Sequence, residues 1–390
     1  MAEAEAGSPG PRILMAVEQL RRSVPGGIGA YARGLLRGLA QCDEGGQPTD
    51  LTLLASRMLR RPGAGRAPGG DPLAQFGRPI VLSPFPGPLL TRAWDHGWSA
   101  VPAGYDIVHS VSLAAPPHRA GDPVRSVVTV HDVAWRRHPE ATTKRGREWH
   151  EAALCRARDS GAALVVTSRF VAADLIGDGV DPDRITIVHG GSDHLVVEDP
   201  AATDALLSRL GVPGPFLLTV STLEPRKNVH RLLQAFRQLR GTLPEPWPLV
   251  IVGPAGWGPA LPSPEDQQGV VFAGAVPDAV LTGLYRRARA FAYVPLTEGY
   301  GLPPLEAMRV GTPTVVANEV PSVHDLGQSG LPPARIVDPM DVEDIAAGIA
   351  AVLTDDTLRA DLAARGEAYA RSRTWRAAAE DHVRLWRALA

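Results

Sequence analysis

Two doubly wound, Rossmann-like α/β domains are predicted by three features of this 390-residue sequence. Its length exceeds the size at which one hydrophobic core usually keeps growing, so two domains are expected. Short apolar runs rich in branched residues alternate with longer segments of helical period, which is the pattern of β-α units in a parallel sheet. The pattern restarts after residues 195–214, which are more polar and rich in turn residues. The sequence therefore predicts two domains that face each other across a ligand-binding cleft.

The predicted strands fall into two series. The first series is Arg12–Val17, Leu51–Ala55, Ile107–Val111, Ser126–Val130, Ala163–Thr167 and Ile185–Val188. The second series is Phe216–Val220, Pro248–Val252, Val270–Phe272, Ala290–Val294 and Thr314–Ala317. We place the domains at residues 1–198 and 199–372, followed by a helix at 373–390 that we expect to pack back on the first domain. Ligands of such folds bind at the carboxyl ends of the strands.

The composition argues against a nucleic-acid partner. Forty basic and 42 acidic residues give a formal net charge of −2, so no global positive field is present to hold a polyanion. The two cysteines, Cys42 and Cys155, lack metal-type spacing and indicate a reducing compartment. The first ten residues lack the layout of a secretory signal, and no apolar run reaches the roughly 20 residues of a membrane span. We expect a cytoplasmic protein whose membrane contact is at most peripheral, at the inner face.

The segment Glu298–Glu306 (EGYGLPPLE) carries the strongest chemical signal. Its glycines and prolines exclude a helix at its start, so Glu298 lies in a loop after a strand. A helix should begin near Pro303 and place Glu306 in its first turn. Free backbone amides at the start of a helix suit an anion, and carboxylates accept hydrogen bonds from hydroxyls, so the segment fits a sugar nucleotide. The competing interpretation is that Glu306 only complements the helix dipole and Glu298 is an exposed loop acid.

This segment, followed by Gly311-Thr-Pro-Thr-Val-Val, resembles the signature of glycosyltransferase family 4, which comprises retaining enzymes of the GT-B fold. The resemblance extends in order through most of the chain, by way of Pro25–Gly29, His131-Asp132 and Thr222–Asn228. It implies a retaining hexosyltransferase that uses a sugar nucleotide as co-substrate and needs no cofactor.

The resemblance also implies a role for each residue of the segment. Glu298 would lie beside the transferred sugar and its developing positive charge, and Glu306 would hold the ribose hydroxyls. The backbone amides that would line the sugar and the diphosphate belong to Gly299, Tyr300, Gly301 and Leu302. Pro303 has no N–H, so the loop offers one donor fewer than in family members without that proline.

A basic pair, Arg226-Lys227, stands between a predicted strand and a predicted helix at Val229–Leu239. Departure of a nucleoside diphosphate builds negative charge, and a transferase without a metal needs fixed cations there. Adjacent basic residues are nevertheless most often solvated surface. The resemblance favours Lys227 as a diphosphate ligand. Many family members carry the arginine at the position of Thr222, so Arg226 would act as its substitute.

The first domain contributes a glycine-rich loop and a histidine. In the predicted loop Pro25–Gly29, Gly26 and Gly27 would let the backbone approach the donor diphosphate. A lone histidine after a strand is more often structural, but the resemblance implies that His131 hydrogen-bonds a hydroxyl of the donor sugar. In the second domain, the resemblance makes Val276 the centre of a loop whose backbone reads the base.

No metal site is predicted. Asp181-Pro-Asp183 lies in a turn, and Asp355-Asp356 precedes a helical run as a cap. Gly27–Ala32 formally fits a dinucleotide fingerprint, but it does not directly follow the first strand, which argues against an NAD-dependent oxidoreductase. Two rivals remain, namely a sugar-nucleotide-binding protein that has lost its chemistry and a sugar-nucleotide epimerase of the same fold.

The substrates are indicated only by resemblance. Thr222–Asn228 and the double proline after Leu302 look like mannosyltransferase-type members, which implies GDP-mannose as the donor. Retention would follow if the leaving phosphate accepted the acceptor proton on the same face. The acceptor stays open among glycans, lipid-linked sugars and small molecules. We expect it near Leu89–Trp98 or at the arginine-rich loop Arg57–Gly70, whose plainer interpretation is a solvated surface loop.

Overall fold

A computed structural model describes residues 10–22, 26–57, 71–119, 121–243, 247–256, 267–324 and 330–390. Within these ranges the chain forms two parallel β-sheets, one in each half of the sequence. This confirms the predicted fold class of two Rossmann-like α/β units. Residues 58–70 of the arginine-rich loop, and Pro25 of the glycine-rich segment, lie outside the described residues.

The sheet of the first half has the order β3-β2-β1-β4-β5-β6-β7. Its strands are β1 (Ile13–Ala16), β2 (Leu51–Arg57), β3 (Ile80–Pro86), β4 (Ile107–Ser110), β5 (Arg125–Val130), β6 (Ala163–Val166) and β7 (Ile185–Ile187). The sequence did not predict β3. It is an edge strand that contains Pro84 and Pro86, and prolines are tolerated only at such edges, so its sequence does not read as an interior strand.

The sheet of the second half has the order β10-β9-β8-β11-β12-β13. Its strands are β8 (Leu217–Val220), β9 (Leu249–Val252), β10 (Val270–Gly274), β11 (Ala290–Tyr293), β12 (Thr314–Ala317) and β13 (Arg335–Val337). The unpredicted β13 is again a short edge strand, of three residues. In both sheets the strand order reverses beside the first strand, and the carboxyl ends at that reversal are where doubly wound folds bind ligands.

Helices connect the strands and cover the sheets. They are α1 (Gly26–Glu44), α2 (Gly87–Asp95), α3 (Ala134–Arg137), α4 (Lys144–Asp159), α5 (Arg169–Gly177), α6 (Pro200–Arg209), α7 (Val229–Arg240), α8 (Asp278–Arg287), α9 (Leu302–Arg309), α10 (Val342–Thr354), α11 (Asp356–Arg371) and α12 (Trp375–Leu389). The central strands are buried along their length, as parallel strands covered on both faces must be. Among the described residues, no helix combines the length and the apolar character that crossing a bilayer requires.

The glycine-rich segment is helical, so its prediction as a loop was wrong for the described residues. Helix α1 begins at Gly26, and Gly27 and Gly29 lie in its first turns. Gly26 has a φ of +61°, a conformation that glycine adopts at little cost, and this residue turns the chain into the helix.

The last helix, α12, packs against α1 of the first half. Its residues Trp375 and Trp386 are buried in the core of the first half. A Cβ atom at Gly34 would lie 2.0 Å from the Trp375 ring, and one at Gly38 would lie 2.1 Å from the Trp375 carbonyl oxygen. The two glycines therefore allow the close approach that ties the end of the chain to the first half.

Replacing Gly34 by alanine should destabilise the protein, because the added methyl group overlaps the Trp375 ring and the helices must move apart. We expect a loss of about 1–3 kcal/mol in the free energy of unfolding, measured by urea denaturation. Gly177→Ala is the matched control, since a Cβ atom there meets nothing within 4 Å. Equal stabilities of the two variants would contradict the packing described for α12.

Candidate active site

A cleft of about 480 Å³ lies between the two halves, at the carboxyl ends of their strands. Ten of the predicted site residues line it, and they are Gly26, Gly27, His131, Arg226, Lys227, Glu298, Gly299, Tyr300, Gly301 and Leu302. A larger cavity of about 730 Å³ is lined by Phe216, Arg289 and Pro313, which directly precede strands of the second sheet. It lies at the amino ends of those strands, opposite the edge where such folds bind ligands, so we assign the site to the cleft.

Glu298 is the centre of a largely buried group of charges. Its carboxylate pairs with the guanidinium of Arg226 over 3.2 Å, between Oε2 and Nη1, and with the ammonium of Lys227. The hydroxyl of Tyr293 donates to its Oε1 atom over 2.6 Å. Arg226 also pairs with Glu224 over 3.0 Å, so two cations and two carboxylates balance. We call these four charged residues and Tyr293 the ionic cluster.

The charges in the ionic cluster set its protonation. Burial by itself would raise the pKa of Glu298, but Arg226 and Lys227 outweigh it and lower that pKa to about 2. Burial raises the pKa of Tyr293 well above its usual range, so the hydroxyl remains a donor. Burial and the neighbouring Arg226 lower the pKa of Lys227, while Glu298 acts in the opposite direction. Glu298 is therefore ionised at neutral pH, and it is not an exposed loop acid.

Local backbone structure fixes the two cations. Arg226 and Lys227 lie in a short 3₁₀ turn, Pro225–Lys227, which Asn228 follows, as the sequence predicted for a turn between β8 and α7. The buried Asn228 has a left-handed backbone, and its side-chain amide donates to the carbonyls of Val294 and Pro339 over 2.9 and 2.7 Å. The turn is thereby fastened to the end of β11. The side chains of the two cations are only 19% and 13% exposed, so they are not solvated surface.

Two glycines of the Glu298–Glu306 segment are required by close contacts. A Cβ atom at Gly299 would lie 1.8 Å from the His131 carbonyl oxygen, which belongs to the other half. Thr167 Oγ1 lies within hydrogen-bond distance of the His131 and Gly299 carbonyl oxygens, at 3.1 and 3.2 Å. Gly301 has a φ of +96°, and a Cβ atom there would lie 2.4 Å from Val320. The segment thus closes against the first half at Gly299.

His131 lies in the wall of the cleft with one ring nitrogen already engaged. Its Nε2 atom lies 2.8 Å from the carbonyl oxygen of Val111. Burial lowers the pKa of His131, so the ring is neutral at neutral pH. A neutral ring that faces a carbonyl through Nε2 carries its proton there, which leaves Nδ1 as a hydrogen-bond acceptor.

Glu306 differs from its prediction in position. Helix α9 begins at Leu302, so Glu306 is its fifth residue and lies beyond the first turn. It is buried and does not line the cleft. Its Oε1 atom is 2.9 Å from Nε2 of His194, and its Oε2 atom accepts from the Tyr285 hydroxyl over 2.8 Å. Nδ1 of His194 in turn accepts from the Trp375 indole over 3.0 Å, which links Glu306 to α12.

Val276 is the other predicted site residue outside the cleft lining. It lies in the turn between β10 and α8, at the edge of the second sheet, and packs against the core of the second half. Four residues that contact the predicted site residues were not predicted from the sequence, namely Tyr293, Thr167, His194 and Tyr285. Tyr293 and Tyr285 look like apolar core positions in the sequence, and His194 lies in the polar stretch between the halves, so their partners appear only in three dimensions.

A better sequence signal existed for Lys227. The chain has two lysines against 38 arginines, and the other lysine is Lys144, whose side chain is 83% exposed. In so arginine-rich a chain, a lysine in the cleft indicates that a compact ammonium suits that position better than a planar guanidinium.

No group of three or more potential metal-ligating side chains occurs within the described ranges. Asp181 accepts from the backbone of Asp183 in a turn, and Asp355 caps α11 through the amide of Leu358, as predicted for both segments. The independence of the reaction from metals remains a prediction.

Comparison with known proteins gives two family matches. The model for "Glycosyl transferases group 1" matches residues 209–369, and that for "Glycosyltransferase Family 4" matches residues 25–194. The chain is 33% identical over 267 residues to O-antigen chain mannosyltransferase B of Escherichia coli, which covers 66% of this chain and 68% of that protein. It is 27% identical over 412 residues to D-inositol 3-phosphate glycosyltransferase of Corynebacterium urealyticum, covering 96% and 93%.

Solved structures share the fold at low sequence identity. HepE of Anabaena, solved in complex with UDP and glucose, superposes with a TM-score of 0.66 at 18% identity, covering 96% of this chain and 99% of that one. Sucrose-phosphate synthase of Thermosynechococcus elongatus gives a TM-score of 0.71 at 17% identity, covering 97% and 99%.

The ionic cluster predicts how stability depends on pH. The folded-state pKa of Glu298 is depressed, so its contribution is present above its ordinary pKa of 4.5 and is lost as the pH falls towards about 2. Glu298→Gln should therefore lower the free energy of unfolding by about 3 kcal/mol at pH 7, because it leaves the largely buried Lys227 without its carboxylate partner and Arg226 with Glu224 alone. The difference from the wild type should shrink between pH 4.5 and 2.

Urea denaturation of both proteins across this pH range measures the effect. Glu148→Gln is the control, because Glu148 forms a long ion pair at the surface. Its Oε1 atom is 3.9 Å from the Lys144 ammonium and its side chain is 65% exposed, so the pair contributes little to stability. A Glu298→Gln difference that does not change with pH would show that the carboxylate charge does not stabilise the fold.

Proposed function

The chain belongs to the glycosyltransferases of group 1 and family 4 and is a hexosyltransferase, and we propose that it transfers mannose from GDP-mannose with retention of configuration. The proposed acceptor is a hydroxyl of a glycan, a glycolipid or a small molecule. The observation that carries the proposal is the pairing of Arg226 and Lys227 with Glu298 in the cleft between the halves. The mannosyl donor is supported by the relation to a mannosyltransferase over two thirds of the chain.

In the proposed mechanism the two cations hold the donor diphosphate. Charge builds on the phosphate oxygens as the bond to the sugar breaks, and preorganised cations in a site with little water stabilise that charge strongly. Arg226 and Lys227 are held by the turn at Asn228, so little reorganisation is needed when the donor binds. The backbone amides of Gly299, Tyr300, Gly301 and Leu302, which line the same wall, would be further donors. These groups supply the positive charge that a metal would otherwise supply.

Glu298 is the proposed partner of the sugar. Its carboxylate is ionised and fixed by Tyr293, so it can stabilise positive charge that develops at the anomeric carbon. His131 also lines the cleft, and since its Nε2 atom is engaged by Val111, we assign to its Nδ1 atom the acceptance of a hydrogen bond from a sugar hydroxyl. These are the roles that the family resemblance implies, and they stay part of the proposal.

The transfer step exchanges one bond to the anomeric carbon for another. The bond between that carbon and the phosphate oxygen breaks, and a bond to the acceptor oxygen forms on the same face. The hydroxyl proton passes to the departing phosphate oxygen, so no enzyme nucleophile is required. Arg226 and Lys227 would stabilise the diphosphate that leaves.

Glu306 remains our candidate for the ribose hydroxyls. Each of its carboxylate oxygens accepts one hydrogen bond within the protein, and an ionised carboxylate can accept about four. His194 and Tyr285 would then orient the carboxylate and leave it able to accept hydrogen bonds from the ribose hydroxyls as well. Val276 likewise stays a proposed contact of the base, and the cytoplasmic location stays a prediction supported by two free thiols, Cys42 and Cys155.

A donor panel tests the proposed function. GDP-mannose, UDP-glucose and dTDP-glucose would be compared by thermal shift and by release of the nucleoside diphosphate. We expect GDP-mannose to stabilise the protein most and to give an α-linked mannoside. Stabilisation only by UDP- or dTDP-sugars would contradict the donor, and a β-linked product would contradict retention.

Lys227→Ala should lower kcat by about 10²–10³-fold, because one preorganised donor to the developing diphosphate charge is lost. The measurement is steady-state turnover of the best donor of the panel. Lys144→Ala is a matched control, since it removes the same group from an exposed site. Near-normal turnover of Lys227→Ala would refute the role of Lys227 at the diphosphate.

A further inference from the structure

A second cavity, of about 330 Å³, opens beside the cleft within the first half. It shares Gln19, Ile28, His131 and Asp132 with the cleft, so these residues form a common wall. Its other side is lined by Thr91 of α2, Trp135 of α3, and Trp149 and His150 of α4. We call this cavity the aromatic chamber. Its volume is within the range of small-molecule sites.

Three rings give the chamber its aromatic wall. His150 stacks on Trp135 with the centroids 4.9 Å apart, and it meets Trp149 edge to face at 4.8 Å. Both indole N–H groups are engaged by carboxylates, Trp135 with Glu151 over 3.0 Å and Trp149 with Asp95 over 2.9 Å. The rings are thus fixed before any ligand binds, and they offer a ligand their surfaces rather than their N–H groups.

Polar groups surround these rings. Gln19, Arg22, Thr91 and Ser112 contribute donors and acceptors to the lining. Asp132 accepts from the Ala134 amide over 3.1 Å through Oδ1 and keeps further acceptor capacity. An aromatic surface attracts the C–H edge of a ligand, and the polar groups fit a rim of hydroxyls. A pyranose ring has both an apolar C–H face and a hydroxyl rim.

We propose that the aromatic chamber is the acceptor subsite and that it binds a pyranose ring of a saccharide acceptor. This inference rests on the proposed function, since the acceptor hydroxyl must reach the anomeric carbon in the cleft beside His131 and Asp132, which line both spaces. The bond from that hydroxyl oxygen to the anomeric carbon forms as the bond to the phosphate breaks, and the hydroxyl proton leaves with the nucleoside diphosphate. Thr91, which lies in the segment predicted to contact the acceptor, belongs to this chamber.

Binding of simple glycosides tests the inference without requiring turnover. The probes are methyl α-mannopyranoside and methyl β-glucopyranoside, with inositol 1-phosphate as an anionic comparison, observed by saturation-transfer NMR on the full chain. Trp149→Ala and His150→Ala should each weaken glycoside binding about tenfold, while Trp149→Phe keeps the ring surface and most of the affinity. Leu331→Ala is the control, because this large apolar side chain is 72% exposed, lies in the second half and is outside the chamber lining.

GDP affinity and donor hydrolysis should change less than about twofold in all four variants, since none touches the ionic cluster. Glycoside binding that is equal in Trp149→Ala and Leu331→Ala would overturn the proposal, and so would binding of the inositol phosphate alone. A wild-type protein that binds the glycosides through Trp149 but binds no sugar nucleotide would contradict the proposed function and leave the saccharide subsite standing. Melting temperatures of the variants separate lost binding from lost folding.

Discussion

The pairing of Glu298 with Arg226 and Lys227 is the interaction on which the site depends. Two adjacent cations, largely buried, would destabilise the fold unless a nearby carboxylate compensated them. Glu298 does so, with Tyr293 fixing one of its oxygens. The same pairing brings the turn after β8 to the loop after β11, at the reversal of strand order. The positive charge proposed for the diphosphate is therefore assembled before the donor arrives, and its counter-ion is the carboxylate proposed to face the sugar.

The first half contacts the Glu298–Glu306 segment directly at Gly299 and is linked to it at Glu306 through helix α12. The His131 carbonyl lies so close to Gly299 that no side chain would fit there. The Thr167 hydroxyl lies within hydrogen-bond distance of the His131 and Gly299 carbonyl oxygens. In α12, Trp375 packs on Gly34 of the first half and donates a hydrogen bond to His194, whose other ring nitrogen is hydrogen-bonded to Glu306. Helix α12 is thus connected to the Glu298–Glu306 segment through one partly buried histidine.

The sequence predicted the interior of the fold better than its edges. Central strands such as β9 and β11 are continuous apolar runs. The edge strand β3 contains two prolines, and the edge strand β13 has only two apolar residues, so neither sequence indicates a strand by itself. The glycines after Glu298 correctly predicted that this residue lies in a loop. The glycines at the start of α1 wrongly predicted a loop there, because the left-handed backbone of Gly26 turns the chain directly into the helix. The partners of Glu306 could not be predicted, since Tyr285 and His194 are distant in sequence and their pairing is set by packing.

A crystal structure of the protein with GDP bound would show directly whether Arg226 and Lys227 hold the diphosphate. We expect diphosphate oxygens within hydrogen-bond distance of the Lys227 ammonium and the Arg226 guanidinium, beside Glu298 and the amides of Gly299 to Leu302. A diphosphate bound away from this wall, with both cations still paired only to Glu298 and Glu224, would contradict the proposed role of the two cations.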